Sequence, residues 1–202
     1  MPQEKKFFRK HLMVKGKYVD LILSGKKITT IRKGYWIPKS KEIILHGGGR
    51  PFAIAKITNV MYKKVSELTD EDAIKDGLRN REELIKELKR AYGEVEPNDL
   101  VTIIEFKVTK KLTELDIKDP YMGLKPVEVA RLALRYLDDL SEEDKKILKV
   151  LTQVGSLREA AIRLYGDIGA RWRIRKVLRR SLSEMVKRGI LKPSNDLKKG
   201  SE

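Results

Sequence analysis

The chain changes character near residue 111. Before that point, short runs rich in β-branched and aromatic residues are typical of strands, with two helical segments among them. After it, the apolar residues recur with helical spacing. A chain of 202 residues is long enough for two small domains. The sequence therefore predicts an α+β domain over residues 1–112, a linker over 113–125, an all-α domain over 126–193 and a disordered polar tail over 194–202.

Turn and cap residues delimit the elements of the first domain. We expect strands at 11–14, 42–46, 52–60 and 100–108. Thr69 and Asn80 are suited to cap the N-termini of helices over 70–75 and 82–92, and acidic residues fill the first turn of each helix.

The second domain has the pattern of a helical nucleic-acid-binding module. The predicted helices are 126–137, 141–151, 157–165 and 169–188. Ser141 and Ser156 are candidate N-caps, and Gly166 and Gly189 are candidate stops. A short strand is expected at 190–191. Short helices followed by a turn and a longer basic helix are typical of a helix-turn-helix or winged-helix fold.

One short motif concentrates reactive groups. Residues Gly25 to Arg32 fit the pattern G-x-K-x-x-T-x-R and bring an amine, a hydroxyl and a guanidinium close together in sequence. Arg32 offers a planar fork for a phosphate or a base edge. Thr30 becomes nucleophilic only if a neighbouring amine, such as that of Lys27, activates it. The alternative interpretation is an exposed basic turn.

The motif, the order of elements around it and the acidic segment 65–78 resemble the ASCH domain, a small β-barrel of the PUA-like superfamily that is associated with RNA. The resemblance covers about the first half of the chain. It implies a PUA-like β-barrel with flanking helices, and a cleft lined by Lys27, Thr30, Arg32 and Asp76 that recognises an RNA segment or a single nucleotide. Gly25 belongs to the same motif.

One branch of that family suggests chemistry. The motif is similar to that of the bacterial amidohydrolase that removes the acetyl group from N4-acetylcytidine, which implies Thr30 as nucleophile, Lys27 as base and Asp76 at the position of a glutamate. Aspartate shortens the reach by about 1.5 Å, and a misplacement on the order of 1 Å costs about a hundredfold in rate. A resemblance to ribonucleases of the family is vaguer, since no histidine pair is arranged for acid-base cleavage of RNA. His46 alone, at the end of a strand before Gly47, is a candidate acid or base, and the alternative is a satisfied or solvent-facing histidine.

The composition indicates which classes of partner and cofactor the protein binds. A net charge of +16 and a pI near 9.8 favour a polyanion, most often nucleic acid. The absence of cysteine excludes disulfides and thiol-based metal sites, and two histidines make a zinc site improbable, so no cofactor or metal is predicted. We find no signal peptide, lipidation motif or long apolar span, so we expect a cytoplasmic protein that does not bind membranes.

The last predicted helix carries six cations in ten residues with no acid between them. They are Arg171, Arg173, Arg175, Lys176, Arg179 and Arg180. Trp172 lies among them, where its indole could stack on a base. This pattern indicates nucleic-acid binding of weak sequence specificity, and a helix in a major groove implies duplex DNA. The alternative is a solvated basic face, with Trp172 packed on a neighbouring part of the chain.

Two further basic segments leave alternatives open. The loop Gly47-Gly48-Gly49-Arg50 could bind a phosphate, or it is simply a hairpin turn. The run from Lys5 to Lys10, which includes Phe7, Phe8 and Arg9, is either a nucleic-acid-binding arm or a basic tail.

Taken as a whole, the sequence predicts a nucleic-acid-binding protein in two parts, with RNA as the partner of the barrel and a duplex as a possible partner of the last helix. The alternatives are the amidohydrolase and a DNA-binding regulator whose barrel senses a nucleotide.

Overall fold

The computed structural model describes residues 5–8, 10–113, 115 and 119–193. The predicted disordered tail at 194–202 and Arg9 of the predicted arm lie outside the described residues. The chain forms two compact units, Met1–Lys111 and Leu112–Glu202.

The first unit contains a five-stranded sheet and a separate pair of strands. Its strands are β1 Lys5–Phe8, β2 His11–Val14, β3 Thr29–Lys33, β4 Tyr35–Pro38, β5 Glu42–Gly47, β6 Arg50–Lys64 and β7 Leu100–Lys111. The large sheet has the order β2-β5-β6-β7-β3, in which β2 runs parallel to β5 and the other neighbours are antiparallel. It curls into a half-barrel, which confirms the α+β prediction.

The curl comes from the two long central strands. The predicted strand 52–60 extends to Lys64, because its outer half pairs with the beginning of β7, where Lys64 lies opposite Leu100. The register between β6 and β7 shifts at Ile54/Ala55 and again at Ile57/Asn59. Such bulges bend a strand and increase its twist. The edge strands β2 and β3 therefore approach each other, and Arg32 Nη2 on β3 donates a hydrogen bond to the Met13 carbonyl on β2 at 2.8 Å.

Three helices cover the first unit: α1 Val19–Leu23, α2 Asp70–Lys75 and α3 Arg81–Tyr92. The predicted caps are confirmed, since the Thr69 side chain accepts from the Asp72 amide and the Asn80 side chain accepts from the Glu83 amide. The α3 helix inserts Leu84 into the core, which it shares with sheet residues such as Ile103 and with the other fully buried side chains Leu12, Ile22, Ile43 and Leu45.

The N-terminal basic segment is not a free arm where the structure describes it. Residues Lys5–Phe8 form β1, which pairs in parallel with β4. Phe8 is buried in the core of the unit, and burying its ring stabilises the pairing. These four residues are therefore a paired strand and neither a free arm nor a free tail, and binding of nucleic acid by the segment stays a prediction.

The second unit is helical: α4 Pro126–Tyr136, α5 Glu142–Val154, α6 Leu157–Tyr165 and α7 Arg171–Lys187. Ser141 and Ser156 cap α5 and α6 as predicted. The buried stripe of α7 packs against α4, α5 and α6. It consists of Ile174, Val177, Leu178, Ser181, Leu182 and Met185. A 3₁₀ turn over Ile168–Ala170 occupies the predicted start of the last helix, so α7 begins at Arg171.

The strand predicted at Ile190–Leu191 is wrong. Both amides donate to the Met185 carbonyl, because the chain folds back over the end of α7 after Gly189, which has a φ of +65°. These two amides therefore form hydrogen bonds with the end of α7 and not with a neighbouring strand. An isolated bridge joins Leu115 to Pro193. In the part of the chain that the structure describes, no helix has the length and apolarity needed to span a membrane.

Candidate active site and candidate nucleic-acid surface

A cavity of about 200 Å³ opens in the first unit beside the sequence motif. Strands β2 and β3 and helix α3 contribute its walls. Lys27, Thr30, Arg32 and Asp76, the four side chains predicted to share a cleft, all line it. We call this cavity the motif pocket.

A buried ion pair forms one wall of the motif pocket. Lys27 Nζ lies 2.7 Å from Asp76 Oδ2 and donates a hydrogen bond to the Asp76 carbonyl at 2.6 Å. Only 2% of Lys27 and 7% of Asp76 are exposed. Lys27 Nζ also lies 4.6 Å from the centre of the Tyr18 ring, and Thr29 Oγ1 donates to Asp76 Oδ1 at 3.3 Å. These partners fix both ends of the pair.

A glycine makes this approach possible. Asp76 ends α2, and Gly77 follows with a φ of +80°, a conformation that residues with a Cβ rarely adopt. A Cβ at Gly77 would lie 3.1 Å from the Cβ of Lys27. On the same side, the Ile28 amide donates to the Lys75 carbonyl at 2.9 Å. The end of α2 is thus held against the beginning of β3, and this contact brings Asp76 to Lys27.

Burial changes the acidity of both charged groups. Desolvation lowers the pKa of Lys27, and the charge and hydrogen bond of Asp76 oppose that change. Desolvation raises the pKa of Asp76 to about 6, and Lys27 limits the rise. A buried amine and a buried carboxyl with shifted pKa values in a pocket are typical of functional sites.

The Asp76 pKa gives a testable expectation. A carbon-13 NMR titration of the Asp76 carboxyl should show a midpoint near pH 6, and Lys27→Met should move it higher because the stabilising cation is lost. The folded-state pKa exceeds the ordinary value of 3.8, so the contribution of Asp76 to stability is greatest below pH 4 and falls as pH rises through 6. The loss amounts to about 3 kcal/mol. A midpoint near 4 would contradict this account.

Thr30 and Arg32 present polar atoms to the same pocket. Thr30 is 8% exposed, and within the described residues its hydroxyl makes no side-chain hydrogen bond. Besides its bond to Met13, the Arg32 guanidinium lies 5.6 Å from the Trp36 ring, and burial lowers its pKa. Arg32 Nε is buried and has no partner among the described residues. A buried donor without a partner is costly, so it is a candidate to bind a ligand.

Glu87 also lines the motif pocket, and the sequence reading did not identify it. Its carboxylate binds Lys15 Nζ and Lys17 Nζ at 2.9 Å each, Arg90 at 3.0 Å and the Tyr18 hydroxyl at 3.2 Å. Hydrogen bonds from the two lysines lower the pKa of Glu87 to about 2. The available signal was an acid on the apolar face of α3, where it follows Leu84 by three residues.

Two predicted binding residues lie away from the motif pocket. Gly25, the first residue of the motif, has a φ of +76° and lines a different cavity of about 540 Å³. Arg50 is exposed beside Gly48 and Gly49, which both have positive φ in the tight turn between β5 and β6. The geometry of this loop is that of a hairpin turn.

The two histidines form a pair that was not expected. His11 Nδ1 lies 2.9 Å from His46 Nε2, because the parallel pairing of β2 with β5 sets His46 opposite Met13. His46 is fully buried, so its ring is out of reach of a phosphodiester. Within the described residues, no group of three or more histidine or acidic side chains could hold a metal ion.

The basic helix α7 exposes its cations. Trp172 is 59% exposed. Arg171 Nε donates to the Ile168 carbonyl, Arg180 pairs with Asp144, and Arg173 lies over the Tyr165 ring at 5.1 Å. The remaining cations form no ion pair with an acid that the structure describes. They are Arg175, Lys176 and Arg179.

Tyr121 is a neighbour of two of these cations. Burial raises the pKa of Tyr121, and the charges of Arg175 and Arg179 oppose that rise. Trp172, Arg175, Lys176 and Arg179 follow one another at helical spacing on the solvent side of α7. We call these four residues the basic face.

Several solved structures are similar to part of this chain. Solved structures with similarity include an Enterococcus faecalis V583 protein at 22% identity, covering 48% of this chain and 69% of that one, with a TM-score of 0.40. An ASCH domain from Lactobacillus crispatus JV V101 shows 19% identity, coverage of 52% and 80%, and a TM-score of 0.40. A mutant ASCH protein of Zymomonas mobilis shows 13% identity, coverage of 51% and 71%, and a TM-score of 0.39.

No protein of curated function matches the chain. The family model described as the ASCH domain matches residues 4–110, which is more than half of the sequence. The chain therefore belongs to the ASCH domain family.

Proposed function

We propose that this protein binds RNA and accepts one unstacked nucleobase in the motif pocket. The observation that carries the proposal is the convergence of Lys27, Thr30, Arg32 and Asp76 on one small cavity. The net charge of +16 adds long-range attraction for a polyanion.

The dimensions and chemistry of the motif pocket favour a base over a larger ligand. Its volume of about 200 Å³ is below the range of about 300–1,000 Å³ that drug-sized ligands occupy. Leu84 and Leu88 supply apolar contact for a ring, Thr30 offers a donor and an acceptor, and Arg32 Nε offers a free donor. Proteins that recognise RNA sequence typically read the hydrogen-bonding edges of unstacked bases in this way.

A second part of the proposal concerns the helical unit. The order of α5, α6 and the longer basic α7 supports a helix-turn-helix module, and the basic face of α7 supplies three cations without ion-pair partners among the described residues. We propose that this face binds the phosphate backbone, because guanidinium groups on an exposed helix contact phosphates more often than base edges. Preference for a duplex over single-stranded RNA would favour a DNA-binding regulator instead.

Blocking the mouth of the motif pocket tests the first part. Ala91 is exposed on α3 and lines the pocket, so Ala91→Trp fills the entrance without disturbing the core. Fluorescence anisotropy would compare a ribo-oligonucleotide with an abasic oligomer of equal length. Ala91→Trp should weaken binding of the ribo-oligonucleotide about fivefold or more, since stacking is worth about 1–3 kcal/mol per base. Binding of the abasic oligomer should not change. Ala91→Ser is the matched control. If the Ala91→Trp variant binds each probe as tightly as wild type does, the proposal is overturned.

A second candidate function is hydrolysis of an acylated nucleobase amine, and the buried Lys27–Asp76 pair beside Thr30 favours it. Burial favours the neutral Lys27 amine that a base requires. Thr30 Oγ1 would attack the carbonyl carbon while its proton passes to Lys27. The C–N bond then breaks, Lys27 returns the proton to the leaving amine, and water hydrolyses the acyl ester on Thr30.

The substrate implied by the family resemblance provides the assay. Incubation with N4-acetylcytidine, followed by chromatography, should release cytidine with wild-type protein and with Thr30→Ser. Thr30→Ala should lose at least about a hundredfold in rate, since it removes the nucleophile and with it both the covalent step and the proton transfer to Lys27, which alone contributes about 10²–10⁴. Release that is equal in wild type and Thr30→Ala, or absent in wild type, would rule this activity out for that substrate.

A further inference from the structure

We infer that the first unit carries a second nucleic-acid surface, formed by aromatic and cationic side chains on β1, β4 and β6 and separate from the motif pocket. It consists of Phe7, Tyr35 and Tyr62 with Lys5 and with Lys39, which directly follows β4, and we call it the stacking face. None of the five residues lines the motif pocket. The inference does not depend on what that pocket binds.

The pairing of β1 with β4 brings these side chains to one side. Lys5 lies opposite Tyr35, and Phe7 lies opposite Ile37. Alternation along a strand turns the intervening residues to the other side, where Trp36 packs against the core. The stacking face therefore combines the outer surface of this two-stranded sheet with Tyr62 of β6, whose ring stacks on that of Tyr35.

The aromatic rings of the stacking face are accessible, and contacts hold the two tyrosine rings in place. Phe7 is 51% exposed and Tyr62 is 38% exposed. The rings of Tyr35 and Tyr62 stack with centres 4.3 Å apart and planes 23° apart, and the Tyr62 hydroxyl donates to the Trp36 carbonyl at 3.1 Å. Because these contacts fix the rings, little side-chain entropy is lost when a ligand stacks on them.

The charge of the stacking face is complementary to phosphate. Lys39 Nζ lies 4.6 Å from the centre of the Phe7 ring, and Lys6 Nζ, on the neighbouring side, lies 5.8 Å from the Trp36 ring. Lys5, Lys6 and Lys39 are exposed and form no ion pair with any acid in the described part of the chain. Aromatic rings with unpaired cations around them are the combination by which proteins bind single strands without strong sequence preference.

The spacing favours single-stranded over duplex nucleic acid. On β1, Phe7 lies two residues from Lys5, the residue that pairs with Tyr35. This separation is about 7 Å along the strand. Bases stacked in a duplex are about 3.4 Å apart, and their faces are covered by neighbouring bases. An extended single strand leaves both the spacing and the faces free, so the stacking face fits a single-stranded oligonucleotide.

Anisotropy with a fluorescein-labelled uridine dodecamer tests this inference in the full chain. Phe7→Leu and Tyr62→Leu keep apolar bulk but remove the ring, and each should weaken binding of the dodecamer about fivefold or more. Binding of an abasic dodecamer and of a duplex of equal length should not change. Ile74→Ala, at a residue of the same unit that is 58% exposed, is the control and should have no effect.

The outcomes separate the stacking face from the motif pocket. Weaker binding of the uridine dodecamer by Phe7→Leu and Tyr62→Leu supports the stacking face, whatever the effect of Ala91→Trp. Unchanged uridine binding in both leucine variants would overturn it, and so would equal losses for the uridine and abasic probes, since the lost energy would then not come from stacking. Failure of Ala91→Trp to act would overturn only the motif-pocket proposal.

Discussion

Removing either member of the Lys27–Asp76 pair alone is expected to destabilise the first unit by about 3–5 kcal/mol, whereas removing both should cost much less. In Asp76→Ala, the buried Lys27 amine keeps an unpaired charge or gives up its proton, and both are costly. In Lys27→Met, Asp76 faces the same choice. The double variant buries neither charge, and replacement of a buried pair by apolar groups is often neutral or stabilising.

Urea unfolding of the four proteins in the double-mutant cycle measures this effect, and the coupling should reach several kcal/mol. Glu71→Ala is the control, because Glu71 forms an exposed pair with Lys75 and pairs of that kind contribute little. Single variants within about 1 kcal/mol of wild type would show that water reaches the pair and would contradict its burial. If the double variant is as stable as wild type, the pair is not required for folding, and its position in the motif pocket points to a role in binding or chemistry.

The second large effect is expected on the basic face. Arg175→Ala/Arg179→Ala should reduce the slope of log affinity against log salt by roughly 1.4 for single-stranded RNA, because each phosphate contact contributes about 0.7. The corresponding loss of affinity at about 0.1 M salt is roughly twentyfold. The two arginines are exposed, so the fold should be unaffected.

A charge-matched variant on another helix provides the control. Lys146→Ala/Lys149→Ala removes two exposed cations from α5 and should change the slope little. Equal losses in the two variants would show that only net charge matters, and the basic face would then have no special role. A loss larger for a duplex than for a single strand would favour the DNA-binding alternative, since the slope per contact is steeper for duplex DNA.

Local sequence signals predicted much of the fold. The caps at Thr69, Asn80, Ser141 and Ser156 each depend on a few neighbouring residues, and all four are confirmed. The motif from Gly25 to Arg32 identified three side chains of the motif pocket for the same reason. Assigning Asp76 to that pocket required the family resemblance, since 49 positions separate it from Lys27.

Long-range pairing accounts for what the sequence did not predict. The partner of β1 is β4, and no local signal in Lys5–Phe8 specifies a partner. The His11–His46 contact arises from the register of β2 with β5, which cannot be read from either segment alone. Glu87 was overlooked because an acid on a helix is usually solvated, whereas here Lys15, Lys17 and Arg90 neutralise it.

Methyl NMR tests the central proposal, that the motif pocket accepts a nucleobase, most directly. Met13, Thr30 and Ala91 each present a methyl-bearing side chain to the pocket, and Ala133 and Ala161, buried in the helical unit, serve as references. Titration with a ribo-oligonucleotide should shift the three pocket methyls, and an abasic oligomer of equal length should not. If the RNA binds and shifts other signals while these three methyls stay unchanged, the base does not enter the pocket and the account is wrong.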